Sequence, residues 1–409
     1  MELKPGYKQT EVGVIPEEWE VKRLGEIGRF TKGKGINKAE VGDEGLPCIR
    51  YGEIYTHHND QVRSFFSFIT LATAKQSQRI KKGDLLFTGS GETAEEIGKC
   101  VAFLGDEEAY AGGDIVVLSP TGQNSMFLGY LMNHPTVASQ KARMGQGDMV
   151  VHISAKNLAQ LQVGLPKCDE QTAIAAALSD VDALIGTLDQ LIAKKRDLNQ
   201  AAMQQLLAGR QRLPGFRGEW EVKPIAEIAS PSSDRNSANE RLPVLTCSKH
   251  LGFVDSLSYF KSQVFSTDTS GYKVIKRGQI GYPSNHVEEG SIGLQDLYDV
   301  ALVSPIYVVF SVNEAVDSYF LHRLLKLDSY RQEFATATSS SVDRRGSLRW
   351  TAFSQITVSL PPLEEQTAIA VILRDMEAEI AALEQCRDKT RALKQGMMQE
   401  LLTGKTRLI

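Results

Sequence analysis

Apolar positions along this chain fall into two regimes. In the first, Ile174, Leu178, Val181, Ile185, Leu188 and Ile192 recur at intervals of four, three, four, three and four. That is the seven-residue period of a narrow helical seam. Ile369, Leu373, Met376, Ile380 and Leu383 repeat the pattern, and Arg387 stands where the first run has Ile192. Leu198 with Leu206, and Leu393 with Leu401, read as continuing the two stripes after a slight phase shift. The spacing predicts a helix from Gln171 to Leu207, about 55 Å long at about 1.5 Å per residue, and a second like it. Pro166 and Pro362 suit the starts, with Asp169, Glu170, Glu364 and Glu365 in or near the first turn, where acids complement the helix dipole. Gly209 and Gly404 sit where a helix-ending glycine belongs, each followed by basic residues. A long helix with one apolar stripe must bury it, and the economical partner for each is the other copy.

The second regime is short. Leu85-Leu86-Phe87, Ile115-Val116-Val117-Leu118 and Ile306-Tyr307-Val308-Val309-Phe310 read as buried strands between Gly, Pro and Ser. Residues 126–132 and 319–325 read as short helices at corresponding places.

The two long helices lie in duplicated segments. Pro166-Lys-Cys-Asp-Glu-Gln-Thr-Ala-Ile-Ala175 returns 195 residues later as Pro361-Pro-Leu-Glu-Glu-Gln-Thr-Ala-Ile-Ala370, and the match runs without a gap to Leu213 and Leu408. Half of the aligned positions are identical. Weaker copies precede them. Glu18-Trp-Glu-Val-Lys-Arg-Leu-Gly-Glu-Ile27 matches Glu219-Trp-Glu-Val-Lys-Pro-Ile-Ala-Glu-Ile228, and residues 158–165 echo 353–360. Solenoid repeats run about 20–50 residues, so a period of 195 means two whole domains, each followed by a connector. The expected divisions are a domain at 1–165, a connector at 166–213, a domain at 214–360 and a connector at 361–409.

Composition narrows the class. Among 409 residues, 42% are hydrophobic and 23% charged, as in ordinary globular chains. No run of 18 apolar residues occurs, so no membrane span is expected. The first residues, Met1 to Tyr7, lack the apolar core of a signal peptide, and five scattered cysteines form no Cys-x-x-Cys, so a reducing cytoplasm is expected. The net charge of −4 divides as −2, 0, −1 and −1 over the four segments, so no domain is basic overall. Local basic clusters remain: Lys32, Lys34 and Lys38 among glycines; Arg79, Lys81 and Lys82; and Arg344, Arg345 and Arg349 behind Ser339-Ser340-Ser341. Loops of this kind donate to phosphates and to guanine edges.

Catalytic signatures are missing. Gly91 to Cys100 has the wrong spacing for a phosphate loop, no Asn-Pro-Pro-Tyr type of tetrapeptide occurs, and the seven histidines show no metal spacing. No metal or other cofactor is therefore expected. Glu20-Val21-Lys22 and Glu221-Val222-Lys223 imitate the Glu-x-Lys of metal-dependent nucleases, but Trp and Val alternate with charges there as on a half-buried strand.

Together, Val14-Ile-Pro-Glu-Glu-Trp-Glu-Val21 and the twice-repeated Pro-x-x-x-Glu-Gln-x-x-Ile helix start make the whole chain resemble the specificity subunit of type I restriction–modification systems. The resemblance implies an α+β fold. Two mixed α/β target-recognition domains are separated by two long helices, which pack as an antiparallel coiled coil with pseudo-twofold duplication. It implies a non-catalytic subunit on double-stranded DNA, each domain reading half of a split target. The helix pair sets the gap and docks two methyltransferase subunits, and restriction subunits join the complex. The loops before the last strand of each domain are the implied DNA contacts: Gln146, Asp148 and His152 in the first, and Ser340, Arg344, Arg345 and Arg349 in the second, with Lys32, Lys34 and Lys82 as further candidates. Gln146 suits adenine and the arginines guanine. Two other readings are a coiled-coil scaffold with two protein-binding domains, without salt-dependent DNA affinity, and a nuclease using Glu20.

Overall fold

The computed structural model describes residues 4–147, 150–285, 287–339 and 347–408. The chain divides into two compact units, residues 1–189 with 385–409, and residues 190–384. Each unit thus takes one block and one stretch of each connector.

In the first unit a four-stranded antiparallel sheet has the order Cys100–Ala102, Leu85–Thr88, Ile115–Pro120, Gly28–Lys32. Its central strands are the apolar runs of the sequence, and Leu85, Phe87, Val117 and Leu118 are buried. A five-stranded sheet lies alongside in sequence and includes one parallel pair, Ala109–Ala111 with Leu46–Ile49. The second unit repeats the four-stranded order with Gly293–Leu294, Ile280–Pro283, Tyr307–Val312 and Ala229–Ser232. Ile306 falls outside the strand expected for it and is exposed, because the chain turns at Ser304 to Tyr307 before pairing begins.

The short helices are Ser125–Asn133 and Ser318–Leu325. Each starts on a capping side chain. Asn124 Oδ1 accepts from the Phe127 amide at 3.0 Å, and Asp317 Oδ1 accepts from the Phe320 amide at 2.8 Å. Each block is closed by an early strand paired with its last, Glu20–Arg23 on Gln162–Leu165 and Glu221–Pro224 on Thr357–Leu360. From each closing strand the chain passes directly into a connector helix, Cys168–Leu206 or Leu363–Leu401.

The predicted seams are largely interior. Ile174, Leu178, Ile369 and Leu373 are fully buried, Leu188 and Ile380 nearly so, and Val181, Ile185, Met376 and Leu383 half-buried. The extension of the stripes is corrected at two positions. Leu198 is 49% and Leu393 58% exposed. Half-buried Asn199 and Lys394 stand next in sequence, so the interior face there is polar. Leu206 and Leu401 are buried as expected. Gly209 and Gly404 adopt left-handed backbone, φ 65° and 72°, and end the helices. A Cβ on Gly404 would meet Pro16 Cδ at 2.5 Å, so this turn admits glycine alone.

Candidate nucleic-acid interface

The duplicated motif ties each connector helix to its block. Glu170 and Gln171 open the first connector helix, and both are buried. Gln171 Oε1 accepts from the Asn124 amide at 2.9 Å, and its Nε2 donates to the Pro166 carbonyl at 2.9 Å. One side chain therefore joins the start of the connector to the start of the short helix. Gln366 does the same with the Asp317 amide at 3.0 Å and the Pro361 carbonyl at 2.8 Å. The glutamates take arginines from beyond the helix-ending glycines. Arg407 lies 2.6 Å from Glu170, and Arg212 lies 2.6 Å from Glu365. Hydrogen bonds that it donates to Glu170 and Glu18 hold the Arg407 guanidinium above the usual arginine range, against the opposing effect of burial. Within the first unit the partners continue as Asp182 with Lys394 at 2.9 Å and Asp189 with Arg391 at 3.0 Å. Within the second, Lys195 meets Glu379 at 2.7 Å and Arg196 meets Glu384. In the first unit, numbers rise on one helix as they fall on the other, and in the second the step from Arg196 with Glu384 to Arg212 with Glu365 runs the same way.

Three of the DNA-contact candidates converge in the first unit. Lys32, Gln146 and His152 line one cavity of about 280 Å³ together with Gly89, Asp114 and Asn157. Lys32 ends an edge strand of the four-stranded sheet opposite Val116. The glycines around it serve packing: a Cβ on Gly33 would lie 1.9 Å from the Gly112 carbonyl oxygen. The Lys32-to-Gly35 turn is bonded to the Gly112-Gly113-Asp114 turn through Gly33 to Ile115, Lys34 to Ala111 and Gly113 to Gly35. Lys32 and Lys34 are left exposed on this base. Gln146 and His152 exchange two backbone hydrogen bonds, of 2.8 and 3.0 Å, and so stand opposite each other at the neck of a loop. Residues so paired present their side chains to one face. The His152 ring is fixed by Ser90, whose Oγ lies 2.9 Å from Nδ1. Both Gln146 and His152 are exposed. This is a small concave polar site with amide, imidazole, ammonium and carboxylate groups on a bonded backbone frame.

The other candidates part from it. Lys82 is bound to Asp106 at 2.9 Å and Arg79 lies 3.6 Å from Glu108, so this basic cluster is neutralised on its own surface. Arg349 is exposed at the start of the Trp350–Phe353 helix. Its place corresponds to the first unit's site, since the Leu348 amide donates to Ser284 as the Ile153 amide donates to Gly89. Asp148, Ser340, Arg344 and Arg345 lie outside the described residues. Sequence reasoning missed Ser90, Asn157 and Asp114. Only the Gly-Gly-Asp run at 112–114 carried a signal, that of a tight turn.

The nuclease lookalike is resolved by geometry. Glu20 and Lys22 stand on one face of an exposed strand, 2.7 Å apart, and Glu221 and Lys223 do likewise at 2.5 Å. The lysine in each case holds its glutamate below the usual carboxylate range. Among the described residues no group of three or more His, Cys, Asp or Glu side chains is placed to hold a metal ion, and no helix is long and apolar enough to cross a membrane.

Comparison with known proteins follows the same duplication. The family described as the type I restriction modification DNA specificity domain matches twice, at residues 16–194 and 218–391. The MjaVIII type I restriction enzyme specificity subunit of Methanocaldococcus jannaschii is 24% identical over 96% of this chain and 94% of its own length. A second specificity-subunit sequence from that organism is also 24% identical, over 98% of this chain and 97% of its own. Among solved structures, the type I restriction–modification S subunit from M. genitalium superimposes with a TM-score of 0.58 at 14% identity, covering 98% of both chains. A chain of another type I system gives 0.54 at 16% identity, covering 96% of this chain and 99% of its own. Matched twice along its length, with the connector start and its buried Glu-Gln pair in each copy, the chain belongs to the type I restriction–modification DNA specificity family.

Proposed function

We propose that this chain is the sequence-reading, non-catalytic subunit of a type I restriction–modification complex on double-stranded DNA, and that its two blocks, 1–165 and 214–360, are target-recognition domains that each read half of a split target. The connectors at 166–213 and 361–409 then form the antiparallel coiled coil between them, related by a pseudo-twofold axis, and set the unread gap. Dimeric readers place half-sites by the same logic. The observation that carries this reading is the recurrence of one anchoring set in both units, Glu170-Gln171 with Arg407 and Glu365-Gln366 with Arg212, under blocks whose loops differ. A common frame beneath unlike loops suits two different half-sites and a target that is not a palindrome.

In the first domain, Lys32, Gln146 and His152 are the proposed base and phosphate contacts, with Lys34 at the rim. In the second, Ser340, Arg344, Arg345 and Arg349 take that part. Lys82 is demoted to a surface ion pair. Two methyltransferase subunits dock on the connectors, and restriction subunits join through the assembled complex. Exposed Leu184, Leu191 and Leu198, spaced by seven on the first connector helix, suit the docking of another helix.

The test is a map of modified adenines in a methylation-free host expressing this chain with the methyltransferase subunit of its own system. A split motif that vanishes when the chain is omitted is the expected result. A contiguous motif, or one indifferent to the omission, refutes the reading and favours a scaffold.

A further inference from the structure

Asp114 is the one acidic side chain lining the cavity that holds Lys32, Gln146 and His152. It is exposed, and among the described residues no lysine, arginine or histidine lies within ion-pair distance of it, although Lys32 and Lys34 flank it through the bonded turns. Its backbone is left-handed, φ 60°, a conformation that aspartate tolerates better than most residues but that glycine adopts without cost. The strain is locked in: the Asp114 carbonyl accepts from the Gly89 amide at 2.6 Å, and a Cβ on Gly89 would lie 2.9 Å from that oxygen. Glycine would fit position 114 better, and a neutral side chain would repel phosphates less. A carboxylate on a backbone fixed in this way is favourable beside DNA where it accepts a hydrogen bond from a base.

We propose that Asp114 is a specificity-determining residue of the first domain and accepts a hydrogen bond from the exocyclic N4 amino group of a cytosine in the major groove, while Lys32 donates to O6 or N7 of the guanine paired with it. The inference rests on the DNA-reading role proposed above and assigns one position of that domain's half-site. Cytosine fits better than adenine on charge. Adenine places the N7 acceptor beside its amino group, which repels a carboxylate and suits the Gln146 amide, whereas cytosine presents a donor alone. The paired guanine presents two acceptors, which suit the Lys32 ammonium. One C·G pair is thus read from both sides by opposite charges.

The test uses the complex assembled with its methyltransferase subunit and compares methylation of sites carrying each base pair at every position of the first half-site. Asp114→Gly removes the acceptor and relieves the backbone, so its thermal midpoint serves as the folding control and should not fall. Asp114→Gly is expected to lose about tenfold discrimination at a single C·G position and none elsewhere. Lys32→Ala is expected to relax the same position. Unchanged discrimination in Asp114→Gly overturns the assignment, as does a wild-type half-site without a C·G pair. Uniform weakening of every site by Lys32→Ala overturns the joint reading by Lys32. A wild-type complex without any split motif defeats the domain reading itself, which is a separate outcome.

Discussion

Equivalent places in the two units are held by different chemistry. In the first unit Lys394 of the second connector lies between Asp60 of the block, 2.7 Å away, and Asp182 of the first connector, 2.9 Å away. Tyr130 donates to Asp182 at 2.7 Å, and its ring lies under the ammonium with the centroid 5.0 Å away. Burial opposes the Lys394 charge, but the two carboxylates outweigh it and hold the group above the usual lysine range. In the second unit the residue matching Lys394 is Asn199, whose buried Oδ1 has no partner among the described residues. The cation is supplied from the block instead: Arg323, matching Tyr130, meets Glu377, matching Asp182, at 2.5 Å, and Tyr319 donates to the same carboxylate at 2.9 Å. The helix starts and tails are fixed in both units, while the middle attachment has been solved twice. The ends of the frame are thus common to both units, and each block brings its own means of fastening between them.

The largest effect should come from the seam residues buried within each unit. Leu178→Asp in the first unit and Leu373→Asp in the second each bury a charge where no side-chain surface is exposed. Each should cost more than about 4 kcal/mol and unfold its own unit first, as seen by denaturant titration with hydrogen-exchange readout. Full protection of either unit would mean that the seam is assigned wrongly.

The equivalent pair at the middle attachment sharpens the comparison. Lys394→Ala leaves Asp60 and Asp182 facing each other, half out of water, and should destabilise the first unit by about 3 kcal/mol. Asn199→Ala removes a group whose oxygen has no partner, so a change below about 1 kcal/mol is expected, of either sign. Equal losses at the two positions would erase the distinction between the units.

Acid tests the interiors of the blocks. Burial, with the charges of Arg323 and Lys326, pushes His322 down to about 3, and burial with His57 and Lys99 pushes His58 down to about 4. The folded forms thus hold these rings neutral where unfolded histidine, with its ordinary value of 6.5, takes a proton. Stability is lost as pH falls below 6.5, by about 1.4 kcal/mol per pH unit for each ring, down to about 4 in the first unit and about 3 in the second. A urea midpoint that is flat between pH 7 and pH 5 would contradict this, and His322→Asn should make the slope shallower in the second unit.

The smallest effect belongs to residues that the phase-shifted stripes put on the seam and the structure does not. Leu198→Gln and Leu393→Gln should shift the stability of the isolated chain by less than about 0.5 kcal/mol. A loss comparable to that of Leu178→Asp would return them to the interior.

These residues also show how far the sequence carried. Period and repeat were enough for both connector helices, because a seam of Ile and Leu between an acidic start and a glycine stop is specified locally. The central strands and the two short helices were legible for the same reason. Leu198 and Leu393 were not, since the apolar residues there step out of phase, while the unshifted intervals of three and four run on from Ile192 and Arg387 to the half-buried Asn199 and Lys394. The candidate site was legible in part. Lys32, Gln146 and His152 were suggested by residue type and by loops of the recognised family, but their meeting in one cavity depends on strands paired far apart in sequence. Lys82 looked like its neighbours until Asp106 was found 2.9 Å from it. Lys394 sits 334 residues from Asp60, beyond any local pattern. Asp114 reads as a turn residue, and its unpaired carboxylate appears only in three dimensions.

The central claim is that the blocks read and the connectors measure. Removing one turn, four residues, from the middle of each connector helix shortens it by about 5.4–6 Å. With adenine modification mapped across the genome of the host, the account predicts both half-sites unchanged and the gap between them altered by one or two base pairs at about 3.4 Å each. An unaltered gap in an active complex, or new half-sites with the old gap, would contradict it.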